Sequence, residues 1–89
     1  MGGMILDFKN VKVKLGTMDN AVLFMKICNK YHNVNIDYSV IGSRYIVDAK
    51  SIIGILSTSV EKEAEVIIHT NNEHIIEKFL HDIEQWIIE

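Results

Sequence analysis

Apolar side chains recur in this chain at two spacings, and the order in which those spacings alternate restricts the fold more than any other feature of the sequence. From Ile5 to Leu15, Phe8, Val11, Val13 and Leu15 are apolar while Lys12 and Lys14 stand between them. Successive side chains on a strand point to opposite faces, so this stretch reads as a half-buried strand. Residues 18–31 change period: Ala21, Phe24, Met25 and Cys28 recur at i, i+3, i+4 and i+7, widened by Val22, Leu23 and Ile27, the stripe of an amphipathic helix. Thr17 is placed to cap that helix, Asp19 to sit at the positive end of its dipole, and Lys26 and Lys30 toward the negative end. Alternation returns at Val34, Ile36 and Tyr38, and Ile41-Gly42-Ser43 turns the chain into a hairpin partner carrying Tyr45 and Val47. Between Asp48 and Ser57, Ser51 precedes the compact run Ile52, Ile53, Ile55 and Leu56, which reads as a short capped helix. Ala64, Val66 and Ile68 form a fourth strand, and Asn71-Asn72 turns and caps the last helix, whose stripe is Ile76, Phe79, Leu80, Ile83 and Ile87.

A sheet with one apolar face has to be covered, and three helices would cover it. The expected fold is therefore α+β: a two-layer open-faced sandwich of order βαββαβα, with a four-stranded, mainly antiparallel sheet and three helices on one face. A length of 89 residues leaves room for one core, so residues 1–89 are expected to form a single domain. Met1-Gly2-Gly3 is expected to be a disordered start or a cloning remnant. Hydrophobic residues at 48% and charged residues at 24% exclude a disordered or fibrous chain. The net charge of −3 lacks the basic excess that neutralises phosphates, so nucleic acid is not an expected partner. No apolar run approaches the ~18 residues of a membrane span and none resembles a signal peptide, which points to a cytoplasmic protein without membrane contact.

Catalytic chemistry finds little to work with. Neither GxGxxG nor GxxxxGK[ST] occurs, so the phosphate-cradling loops of nucleotide enzymes are missing and no cofactor is expected. His74, Glu77 and His81 stand at i, i+3 and i+7, but this stripe reads as the solvated face of an amphipathic helix, and no metal site is expected. Cys28 has His32 four residues on, yet its apolar neighbours favour a buried, inert thiol over a nucleophile. The run Glu61-Lys62-Glu63-Ala64-Glu65 reads as a solvated turn and strand edge, and Trp86 as either a cap on the core or part of a contact surface.

The most specific segment is Val47-Asp48-Ala49-Lys50-Ser51-Ile52-Ile53-Gly54-Ile55-Leu56-Ser57. It resembles the serine-phosphorylation signature of HPr, the histidine-containing phosphocarrier protein of the bacterial sugar phosphotransferase system. Ala21 through Tyr31 resembles the first helix of that family, and Lys62 through Val66 its fourth strand. The resemblance implies the HPr-like βαββαβα sandwich, the same order that periodicity gives. It also implies a regulatory phosphorylation at Ser51 by an HPr kinase and a partner-docking surface at Ile52, Ile53 and Leu56. The physical alternatives are that Ser51 is simply a cap, contributing ~1 kcal/mol to the helix, and that the three apolar residues are core. A helix this short cannot turn all of them inward, so at least one should be exposed.

One part of the family pattern is missing. Carriers of this kind hold a histidine just before the first helix, followed by an arginine and a proline, and the matching positions here are Thr17, Asp19 and Asn20. An imidazole nitrogen is nucleophilic near neutral pH, whereas a threonine hydroxyl needs a neighbouring base. Asp19 would repel the phosphoryl dianion that an arginine would pair with. The sequence thus reads as an HPr-like regulatory or protein-interaction module lacking the phosphocarrier histidine, with no enzymatic activity. Its expected partner is a protein, whether a phosphotransferase-system enzyme, an HPr kinase or a regulator, docked on Ile52, Ile53, Leu56 and Thr17. The alternative is a phosphotransferase-system component phosphorylated at Ser51 or another residue.

Overall fold

The computed structural model describes residues 9–88, arranged as β1 (Lys9–Val13), α1 (Met18–Cys28), β2 (Asn35–Val40), β3 (Val47–Asp48), α2 (Ile52–Leu56), β4 (Ala64–His69) and α3 (Glu73–Asp82), followed by a 3-10 turn at Glu84–Trp86. The strands form one sheet in the order β1-β4-β2-β3, and every neighbouring pair is antiparallel. The α+β sandwich expected from periodicity is therefore the fold observed.

Register explains why one face is covered. Val11, Val66 and Tyr38 stand opposite one another across β1, β4 and β2, as do Val13, Ala64 and Val40, and all six are buried. Ile68 and Ile36 extend this inner layer toward the other end of the sheet. The helices bring Ala21, Phe24 and Cys28, Ile55, and Phe79 onto it. Phe24 is the hub: its ring lies 5.8 Å from Tyr38 and 6.0 Å, edge-on, from Trp86. Trp86 is thus a core residue, which settles the two readings its sequence position allowed. The opposite face is polar, with Asn10 donating to Glu65 at 2.6 Å and His69 against Asp37 at 2.7 Å.

Four boundaries differ from the periodic reading, each for a local reason. The proposed start of the first strand, Ile5 to Phe8, lies outside the described residues, as does Met1-Gly2-Gly3. At its other end β1 stops at Val13, opposite Ala64 where β4 begins; Lys14 N–H donates to the Trp86 carbonyl and Ile88 N–H to that of Lys12, so the C-terminal segment pairs with the outer edge of β1. The α1 helix ends at Cys28 rather than residue 31: Asn29 caps it, its side-chain amide donating to the Met25 carbonyl and across to the Lys50 carbonyl. Tyr45 is outside β3 and 77% exposed. The Ser43 hydroxyl accepts from Tyr45 N–H and the Ser39 hydroxyl donates to its carbonyl, so side chains replace the ladder there. Last, Ile87 does not belong to the helix that carries Phe79; α3 closes at Asp82, and Ile87 instead bridges to Val13.

Candidate functional site

The start of α1 lies against the loop that follows α2, and the start of α2 lies against the end of α1. Gly16 turns the chain out of β1 with φ +88°, a conformation glycine adopts without steric cost, and its N–H donates to the Val60 carbonyl at 2.9 Å. This bond ties the entry of α1 to the loop that follows α2. Asn20 then fixes the turn by donating its side-chain amide to the Leu15 carbonyl at 2.8 Å. At the cap itself, Thr17 Oγ1 accepts from Asn20 N–H at 3.1 Å, in the extended geometry of an N-cap. Met18 and Asp19 follow, both exposed, and Asp19 places a carboxylate in the first turn.

The second start is built the same way. Ser51 Oγ accepts from Gly54 N–H at 3.1 Å and is half-buried. Gly54 suits a close approach, since a Cβ there would lie a tight 3.3 Å from both Ser51 Oγ and Val47 Cβ. Lys50, just before the cap, is anchored rather than free: its ammonium donates to the Tyr31 carbonyl at 2.5 Å, beyond the end of α1. Of the residues named from sequence as a docking surface, Ile53 is 80% exposed and Leu56 36%, whereas Ile52 is half-buried; Ile55 alone in α2 is fully buried and anchors it. The expected apolar exposure on α2 is present. Tyr45, Ile46 at 63% exposure and Ile41 enlarge the exposed apolar surface on the β2–β3 connection. The sequence reading missed them by assigning Tyr45 to a strand; the signal was the unbroken run Tyr45-Ile46-Val47, which no half-buried strand face can absorb.

Neither a histidine nor Cys28 lies in the first turn of α1 or of α2. Histidines occur at 32, 69, 74 and 81. His32 is exposed beyond α1, His69 ends β4 against Asp37, His74 opens α3, and His81 Nδ1 faces Glu84 Oε2 at 3.7 Å. Among the described residues no three His, Cys, Asp or Glu side chains converge as a metal site. Cys28 is fully buried, and that burial pushes its thiol pKa well up, against a smaller opposing effect of the Lys50 charge. A thiol held protonated in this way is not an activated nucleophile.

A family model for the HPr component phosphorylation site of the phosphotransferase system matches residues 11–87. The chain belongs to the HPr family. Among solved structures, the phosphocarrier protein HPr from Bacillus anthracis str. Ames is similar at 26% identity and a TM-score of 0.59, covering 85% of this chain and 94% of that one. HPr-C-His from Thermoanaerobacter tengcongensis shares the fold, with a TM-score of 0.62 at 24% identity over 86% of this chain and 92% of its own. No curated protein matches the chain at a significant level. The chain is accordingly a homologue of the HPr phosphocarriers, and no helix among the described residues is long and apolar enough to cross a membrane.

Proposed function

We propose that this chain is a regulatory, protein-binding member of the HPr family that does not carry phosphoryl on histidine. The observation supporting this most is the start of α1. Thr17 stands at the cap with its hydroxyl occupied by Asn20 N–H, Asp19 adds an exposed carboxylate in the first turn, and none of the four histidines lies on that turn. A hydroxyl without a general base is a poor phosphoryl acceptor, and the neighbouring carboxylate opposes an incoming dianion.

What remains is a surface. Ile53 and Leu56, with half-buried Ile52, form an apolar patch on α2, and Thr17 lies across the Gly16–Val60 bond from the loop that follows it. Apolar anchors inside a polar rim are the usual centre of a protein interface. The partner is a phosphotransferase-system protein, an HPr kinase or a regulator that recognises this surface. Ser51 is the regulatory position: a phosphate there would bring about −2 charges to the edge of the patch and redirect it toward an arginine-bearing partner.

Capture from the source lysate with wild type, Ile53→Asp and Ser51→Asp tests the surface. Both variants should lose or exchange the wild-type partner, Ile53→Asp most completely. Equal capture of the same proteins by all three would remove α2 from the interface.

A further inference from the structure

Beside α2, and outside the patch just described, the β2–β3 connection and the segment after α2 enclose a half-open hollow of about 590 Å³. That volume lies in the range of small-molecule sites. One wall is apolar, made by Ile41, Ile46 and Val47 with the ring of Tyr45. Ile41, Ile46 and Tyr45 are largely exposed, so a ligand seated here would remove their apolar surface from water.

The rest of the lining is polar, and its charge is of one sign. In a chain of net charge −3, Lys62 alone carries a charge among the described residues lining the hollow. Its neighbours Glu61 and Glu63 do not line it, and among the described residues the Lys62 ammonium has no carboxylate within ion-pair distance. The hydroxyls divide by use. Ser57 Oγ donates to the Gly54 carbonyl and Thr58 Oγ1 to the Ile55 carbonyl, both at 2.6 Å, so their protons are committed. Among the described residues, Ser43 Oγ only accepts, from Tyr45 N–H, which leaves its proton available, and no hydrogen bond occupies the Ser59 hydroxyl. An ammonium and two hydroxyl donors lining one hollow with these apolar residues fit an oxygen anion attached to a short hydrocarbon body.

We propose that this hollow binds a small amphiphilic carboxylate, its anion on Lys62, Ser43 and Ser59 and its hydrocarbon body on Ile41, Ile46 and Val47. The site uses residues distinct from the exposed face of α2, so it stands whether or not that face docks a partner. Lys62 is exposed, so its ion pair alone contributes little and the apolar wall supplies the rest of the affinity.

The probe is 4-methylpentanoate, titrated into the full-length chain with amide chemical shifts as the readout and 4-methylpentylamine as the cation of matching shape. The carboxylate should move the amides of residues 41–47 and 57–62 in a saturable way at millimolar concentration, and the amine should not. Lys62→Gln should weaken the carboxylate about tenfold while leaving the spectrum elsewhere unchanged, the loss of one charge-assisted contact. Ile46→Asp should abolish binding. Equal shifts with acid and amine, shifts centred on other lysines, or an unaltered affinity in Lys62→Gln would each overturn the proposal.

Discussion

At the scale of single residues, polar groups decide how tightly the two layers are tied. Tyr31 donates its hydroxyl to Asp82 Oδ2 at 2.6 Å, joining the chain after α1 to the end of α3. That hydrogen bond, ahead of the nearby Lys30 charge, holds the Asp82 carboxyl below its ordinary range against an opposing effect of burial. A carboxylate with a depressed folded pKa contributes stability that is present above its unfolded value and lost as pH falls through the folded value. Wild type should therefore lose more stability than Tyr31→Phe on going from neutral pH to about pH 3. Urea denaturation of both proteins at the two pH values measures this, and identical losses would mean that the contact does not hold the carboxyl down. Tyr38 presents the reverse case. It is fully buried, its hydroxyl beside Thr58 finds no hydrogen-bond partner among the described residues, and burial pushes its pKa up to about 12. Removing a buried hydroxyl that has no partner costs nothing in bonding, so Tyr38→Phe should be neutral or stabilising. A loss of more than about 1 kcal/mol in denaturant melts would show a bond that forms in solution.

At the scale of elements, α2 separates anchoring from display within five residues. Ile55 is enclosed and Ile53 stands in solvent, though both are isoleucines in the same turn and a half of helix. Ile55→Ala should cost about 2–5 kcal/mol through lost burial and an unfilled cavity, while Ile53→Ala should stay within about 0.5 kcal/mol. Chemical denaturation distinguishes the two, and a comparable cost for Ile53→Ala would mean that its side chain is core. The sequence could predict that α2 exposes apolar surface, because a short helix has too few inward positions, but it could not say which positions. Caps were the most readable elements: Thr17, Ser51 and Asn72 each accept from the N–H three residues on. Helix ends and strand lengths were less so. Asn29 stops α1 through a bond to Lys50, 21 residues away, and β3 is cut to two residues by the hydroxyls of Ser39 and Ser43. Neither long-range contacts nor side-chain substitutes for ladder bonds leave a periodic trace.

At the scale of the whole molecule, the alternation of periods was sufficient for the topology because each segment has one apolar face and the register places those faces together. Val11, Val66 and Tyr38 illustrate this: each was an inward position in its own segment, and the sheet sets them in one row. The candidate site was only partly legible. Thr17 and Ser51 were placed at helix starts by their capping chemistry, but the bond between Gly16 and Val60 that links the first start to the loop after α2, and the exposure of Tyr45 and Ile46, arise only from the assembled fold. We propose that a molecule with the HPr fold has given up histidine phosphotransfer at the start of α1. Incubating the purified chain with phosphoenolpyruvate and the upstream phosphotransferase enzyme, and measuring acid-labile phosphate by intact mass before and after mild acid, tests it directly. The wild-type chain should gain none, while Thr17→His with Asp19→Arg should accept phosphoryl better than Thr17→His alone. A stoichiometric acid-labile phosphate on the wild-type chain would contradict the claim.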